Sequence, residues 1–142
     1  MAEQINIFVE NKPGRLKTIT RVLAGQNINI RAIEIADRER FGIVKLLVDD
    51  PHKGQRVLAE NNFACALKKV LAIAIDDRPG GLSRLTETLS DNEININDAY
   101  GFVIASKKEA VLCVEVVDYD RATQIIEKNG FRILTDSELY DL

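Results

Sequence analysis

One histidine, His52, and two cysteines, Cys65 and Cys113, are all the imidazole and thiol this chain owns. No C-x-x-C, H-x-x-x-H or H-E-x-x-H spacing occurs, so neither a zinc nor another transition-metal site is expected. A Ser-His or Cys-His nucleophile would have to recruit His52. That residue follows Asp50-Pro51 and reads as the first turn of a surface helix. The cysteines sit in apolar, strand-like runs and read as small core residues in a reducing compartment. Neither G-x-x-x-x-G-K-[ST] nor G-x-G-x-x-G is present, which removes the two common nucleotide-phosphate loops. The expectation is a chain with no catalytic residue, no metal and no cofactor.

A different chemistry is written twice. Asn11-Lys12-Pro13-Gly14-Arg15-Leu16 in the first half recurs in the second as Asp77-Arg78-Pro79-Gly80-Gly81-Leu82. Each Pro-Gly follows an alternating apolar run and precedes a helical stripe. Unpaired backbone N–H groups and the positive end of a helix then point at one spot, which suits a carboxylate or phosphate. Glycine lets a ligand approach the backbone closely. Asn11 and Asp77 offer an oxygen to an ammonium group. Carboxylate receptor plus ammonium acceptor is the minimum recognition set for a free α-amino acid. The plain alternative is a tight Pro-Gly turn with Asn11 or Asp77 capping the helix.

The elements that must position these loops repeat with them. Ile28-Asn29-Ile30 recurs as Ile94-Asn95-Ile96, at the same offset as the two Pro-Gly pairs. A two-residue insertion then lengthens the offset, so that Asp50 matches Asp118 and Asn61-Asn62-Phe63 matches Asn129-Gly130-Phe131. In the first copy Ile5, Ile7 and Val9 alternate with Asn6, Phe8 and Glu10, as in a half-buried strand. Leu16, Ile19, Thr20 and Leu23 form one helical stripe, ended by Gly25-Gln26-Asn27. Ile28 to Ala36 and Phe41 to Val48 read as a hairpin around Asp37-Arg38-Glu39-Arg40. Asp50-Pro51 opens a second helix, Asn61-Asn62 ends it, and Phe63 to Leu67 is a short last strand. The second copy repeats the order, with Leu82, Leu85, Thr86 and Leu89 as its stripe and a longer hairpin from Ile94 to Val117. Thr135-x-x-Glu138 is a capping box for a short final helix.

Strand-helix-strand-strand-helix-strand is the ferredoxin-like split βαβ. The fold class is therefore α+β, with two ferredoxin-like βαββαβ modules in tandem on antiparallel sheets. Module 1 spans 1–69 and module 2 spans 70–142, joined without a linker. Modules of roughly 70 residues are marginal alone, so paired edges and a homodimer are expected. The chain of 142 residues is 46% apolar and 29% charged, with a formal charge of −3. That balance speaks for a soluble globular protein and against a nucleic-acid footprint. No apolar run is long enough for a membrane span, and Met1 to Asn6 does not read as a secretory signal, so the expected location is cytoplasmic.

The whole chain resembles a tandem pair of ACT domains, the small-molecule-sensing module of amino-acid metabolism. The N/D-x-P-G-x-L loop, the I-N-I strand start and the βαββαβ order carry that resemblance, twice and in register. The resemblance implies an effector, usually an amino acid, bound where the loop of one module faces the second strand of its neighbour. On this chain it points to Asn11, Pro13, Gly14, Arg15, Leu16, Asn29 and Ile30 in the first copy. In the second it points to Asp77, Pro79, Gly80, Gly81, Leu82, Asn95 and Ile96. ACT modules are usually fused to an enzyme or a DNA-binding segment, whereas here the two modules fill the sequence. The expected function is a non-enzymatic regulator that binds an amino acid and acts through an unidentified partner, such as a regulated enzyme, or through ligand-dependent oligomerisation. One rival is an interaction subunit that binds no ligand. Another is an acylphosphatase-type enzyme using Arg15 and Asn29, against which the second copy's Gly81 counts.

Overall fold

The computed structural model describes residues 1–10 and 12–141. Its contacts divide into two units, Glu3–Lys68 with Asp141, and Lys69–Tyr140 with Met1–Ala2. The first unit contains β1 (Ala2–Glu10), α1 (Arg15–Gly25), β2 (Ile30–Arg38), β3 (Phe41–Val48), α2 (Pro51–Glu60) and the start of β4 (Ala64–Asp76). Its strands lie in the order β2-β3-β1-β4, and β3 pairs antiparallel with both β2 and β1. The second unit continues with the rest of β4, α3 (Gly81–Asp91), β5 (Asp98–Ala105), β6 (Glu109–Glu115), α4 (Tyr119–Lys128) and α5 (Asp136–Tyr140). There β6 pairs antiparallel with β4 and β5, and Ile133 bridges back to Ile73.

Each unit therefore has the βαββαβ order, with both main helices on one sheet face. In the first core Ile19 and Leu23 of α1 and Val57 and Leu58 of α2 meet Ile5, Ile7, Val44 and Leu46. In the second Leu85, Leu89, Ala122 and Ile126 meet Leu71, Ile73 and Val114. The helices start and stop for local reasons. Asp50 accepts from the Lys53 amide at 3.1 Å and Pro51 sits in the first turn. Asp118 accepts from the Arg121 amide at 3.0 Å. Asn27, Asn62 and Gly130 take positive φ at the far ends of α1, α2 and α4. The capping box closes both ways, with Glu138 N donating to Thr135 Oγ1 and Thr135 N to Glu138 Oε2. That amide donor holds the Glu138 carboxyl below its ordinary range.

The insertion between the copies lies in the hairpin. Ala32 pairs with Leu47. Its counterpart Asp98 pairs with Glu115 rather than with Cys113, which stands at the unshifted place of Leu47. The extra length is absorbed by an irregularity between Val103 and Ala105 and by the turn Ser106-Lys107-Lys108, which replaces Glu39-Arg40.

Four readings of the sequence need correction. The strand after Phe63 does not end at Leu67 but runs to Asp76, because nothing between them breaks an extended chain. The second hairpin does not start at Ile94, since β5 begins at Asp98. In the first copy the Asp49 carboxylate accepts from the Asn29 amide at 3.0 Å and holds the strand start. The corresponding second-copy residue is Val117, 84% exposed, which has no acceptor to offer. The last strand of the second copy shrinks to the bridge at Ile133, fixed by Ala74 N to Arg132 O and Leu134 N to Ala72 O. Finally, Asn6 is only 7% exposed where alternation implied solvent, and its Oδ1 accepts from the Gln4 side-chain Nε2 at 3.0 Å.

Among the described residues no helix is long and apolar enough to cross a membrane. Both cysteines are free. Cys113 is fully buried, and that burial pushes its thiol up from 9.0 to about 12, against a smaller opposing hydrogen bond with Tyr100. Cys65 is half-buried and shifted up by burial too, and its thiol donates to the Gln55 carbonyl oxygen at 3.4 Å. Folding keeps the Cys113 proton where the unfolded chain loses it. The contribution of this residue is therefore complete below pH 9.0 and is lost as pH rises toward about 12. Native protein treated with a thiol reagent at neutral pH is expected to label at Cys65 first, and at Cys113 only on unfolding, as peptide mass mapping would show.

Candidate functional site

The two Pro-Gly corners are built alike. Gly14 has φ 89° and ψ −9°, and Gly80 has φ 89° and ψ −14°. Each glycine occupies the N-cap position of its helix and supplies no side-chain oxygen. The Gly14 and Gly80 carbonyls accept from the Thr18 and Arg84 amides at 3.0 Å, which starts each helical ladder. The first helical amides, of Arg15 and Gly81, turn back to the Lys12 and Arg78 carbonyls at 3.4 and 3.0 Å. The next amides, of Leu16 and Lys17 and of Leu82 and Ser83, follow in the first turn with no capping side chain. That is the donor set a carboxylate or phosphate takes at a helix start.

The corners differ around that set. Pro13, Gly14 and Arg15 are exposed and Leu16 is half-buried; Pro79, Gly80 and Leu82 are exposed while Gly81 is buried. Leu82, placed by periodicity on the inner stripe, is 47% exposed, so that stripe rests on Leu85 and Leu89. A Cβ at Gly81 would collide with the Asp76 carbonyl oxygen, so α3 starts hard against the end of β4. At the matching place Arg15 lies 3.8 Å from Glu10 Oε2, and Lys12 lies 2.7 Å from the same oxygen. The Lys12 ammonium, by hydrogen bond and charge, holds the Glu10 carboxyl below its ordinary range.

Asn11 lies outside the described residues. Asp77 does not cap α3. Its Oδ2 accepts from the Lys107 amide at 2.6 Å, and its own amide donates to the Lys108 carbonyl at 3.2 Å. It ties the β5–β6 turn to the Pro-Gly corner, a role that sequence alone did not indicate.

Within a module the candidate residues fall into two groups. Asn29 and Ile30, and Asn95 and Ile96, follow the C-terminal ends of α1 and α3, whereas the Pro-Gly corners precede their N-terminal ends. Each helix has 11 residues, so its ends stand about 16 Å apart at about 1.5 Å per residue. The Asn29 backbone is locked to Asp49 in both directions. Asn95 and Ile96 line an open hollow of about 450 Å³ with Leu89, Ser90 and Glu93, and no Pro-Gly residue reaches it.

A repeated feature escaped the sequence reading. Each unit has a groove between the end of its first strand, the first turns of its first helix and the start of its last strand. In the first it is about 430 Å³, lined by Phe8, Val9, Glu10, Arg15, Thr18 and Phe63 among others. In the second it is about 310 Å³, with Ala74, Ile75, Asp76, Arg84 and Phe131 in the matching places. The doubled Phe63 and Phe131 were the available signal, but their partners on the helix are of different type. Among the described residues no three His, Cys, Asp or Glu side chains gather as metal ligands would. His52 is exposed and bonds Glu3 at 2.9 Å.

Comparison with known proteins identifies the class. The family described as ACT domain pair matches residues 1–142, and the chain belongs to that family of regulatory modules. The crystal structure of protein BT0572 from Bacteroides thetaiotaomicron is similar at TM-score 0.93 and 35% identity, covering 99% of this chain and 96% of that one. The ligand-free regulatory subunit of aspartate kinase from Thermus thermophilus gives TM-score 0.66 at 14% identity, over 90% and 92% of the two chains. The corresponding subunit from Thermus flavus gives 0.59 at 15% identity, over 89% and 91%. These last two likenesses show a shared fold. No curated protein sequence matches the chain.

Gly14→Ala and Gly80→Ala are each expected to lower stability by about 1–2 kcal/mol, because an L side chain is strained at this φ even where space is open. Gly81→Ala is expected to lose about 1–3 kcal/mol through backbone displacement. Gly25→Ala, at the last residue of α1 with open space and no left-handed φ, is expected to be neutral or to gain up to about 1 kcal/mol. Urea midpoints of the four variants check this order.

Proposed function

We propose that this protein is a non-enzymatic, cytoplasmic regulator whose two modules, 1–69 and 70–142, sense a free amino acid. The observation that carries the reading is the doubled helix start with an αL glycine and no side-chain cap. Such a corner presents amide donors to a carboxylate. On this reading the ligand carboxylate sits on the Leu16–Lys17 or Leu82–Ser83 amides, with Pro13, Gly14, Pro79, Gly80 and Gly81 shaping the approach. Asn11 and the Oδ1 atom of Asp77 take the ammonium. Arg15 adds a contact to an acidic ligand once it releases Glu10. Asn29, Ile30, Asn95 and Ile96 belong to the facing half of each pocket. Since both halves stand at opposite ends of one helix, a neighbouring module has to complete the site. The regulated partner is an enzyme, as the aspartate kinase subunits of this fold suggest.

The neighbour includes a second copy of the chain. β2 is the edge strand of its unit, and it exposes Ile33 at 43% and Ile35 at 57%. Both lie on the helix-bearing face, in register with the core residues Leu46 and Val44. Edges with apolar side chains are normally paired or covered. Light scattering is expected to give the dimer mass at micromolar concentration, and Ile33→Asp with Ile35→Asp to give the monomer. A monomer for the unaltered chain, with and without amino acids, removes the dimer.

A screen of the twenty amino acids at millimolar concentration tests the sensor reading. A ligand at about 100 times its dissociation constant adds about 2.7 kcal/mol to unfolding. For a chain of this size that raises Tm by about 5–10 °C. Asp77→Asn keeps the acceptor for the Lys107 amide while removing the charge, so it is expected to weaken binding at the second corner without loosening the turn. If no amino acid moves the melting curve or gives heat, the sensor reading fails and an interaction subunit on the same fold becomes the account.

A further inference from the structure

The groove of the second unit carries charges that its neighbours do not satisfy. The Arg84 guanidinium lies over the Phe131 ring, 4.1 Å from its centroid. Phe131 is itself part of the core and only 6% exposed, so the platform under the guanidinium is anchored. A guanidinium stacked this way keeps its N–H edge free and pre-oriented for a planar acceptor. The groove is lined by three cations, Arg84, Lys108 and Arg132, against two carboxylates, Asp76 and Glu109. Both carboxylates are engaged: Glu109 with Arg132 at 2.7 Å and Asp76 with Arg78 at 3.1 Å. Among the described residues no carboxylate pairs with Arg84 or with the Lys108 ammonium. The apolar part of the lining on the helix-bearing face is the half-buried Ile75, which packs against the core.

The first unit provides an internal contrast. Thr18 stands where Arg84 does and gives its hydroxyl to the Gly14 carbonyl at 3.0 Å. Ala64 stands in the place of Arg132, and the groove's arginine, Arg15, enters one turn earlier and faces Glu10 at 3.8 Å. The same concavity is thus locally charge-matched in one copy and left cationic in the other.

We propose that the groove between Arg84, Phe131 and Lys108 is a second ligand site, distinct from the Pro-Gly corners, that binds a small organic carboxylate with an apolar body. The carboxylate takes the open edge of Arg84 with Lys108 as the second cation of the groove, and the body lies on Ile75. A volume of about 310 Å³ suits a molecule of a few carbon atoms.

The test uses the full chain, labelled with nitrogen-15, and sodium isovalerate as the probe, with sodium chloride as the ionic-strength control. The expected result is a saturable shift of the Lys108, Gly130 and Phe131 amides, with no saturable change at Asn62 and Phe63. Arg84→Met is expected to weaken the response at least about tenfold, the loss of a charge-assisted pair. Arg84→Lys keeps the charge without the plane and is expected to fall between. Arg84 is exposed, so both variants are expected to fold, as unchanged amide spectra away from the groove would show. Shifts that grow linearly in both units, shifts confined to the Leu82 and Ser83 amides, or full isovalerate affinity in Arg84→Met would each overturn the proposal.

Discussion

The rest of this molecule depends on one backbone conformation, the left-handed glycine at the end of each module's first strand. A strand arriving at Glu10 or Asp76 must become a helix within a few residues, and Gly14 and Gly80 make that corner at φ 89°. Only glycine reaches that conformation without steric cost. The corner has a chemical consequence as well. A glycine N-cap replaces a side-chain cap at a cost of only a few tenths of a kcal/mol, about the smallest penalty any substitute carries there. In exchange the amides of the first turn are open. The turn that lets α1 and α3 fold back on their sheets also exposes the donors an anion would use.

The two copies keep this scaffold and redistribute charge upon it. Asp49 pins the start of β2 through the Asn29 amide, whereas Val117 cannot, and β5 begins later. Arg15 faces Glu10 beside the first corner, whereas the second copy has the tightly packed Gly81 there and places its arginine one turn on, at Arg84. Asp77 commits one oxygen to the turn between β5 and β6. A duplicated fold with unlike charges at matched positions is a natural way to give two sites different ligands, since affinity for small polar molecules follows the few oriented charges rather than the apolar frame.

Membership in the ACT domain pair family makes this chain a pair of regulatory modules, and the likeness to aspartate kinase regulatory subunits shows the same fold. The corner and the I-N-I segment stand at opposite ends of an 11-residue helix, so on the proposed reading one module supplies only half of each pocket. A site divided in this way would couple ligand binding to association, because a ligand would bind the assembled form better than its parts.

By itself the sequence determined the module, its order and its corners. Helix stripes, caps at Asp50 and Asp118, the capping box at Thr135 and Glu138, and the Pro-Gly turns are readable because each rests on residues a few positions apart. Periodicity also located the cores, although it placed Leu82 inside and Asn6 outside, since it reports the average face of an element and not what covers a given residue. Only the tertiary structure decided where strands stop, which charges are paired, and which residues share a concavity. Arg84 and Phe131, or Asp77 and Lys107, meet through packing between elements far apart in the chain. No local pattern marks such pairs. Electrostatic satisfaction depends on distances of a few ångströms in space, and sequence spacing carries that information only within a single helix or strand.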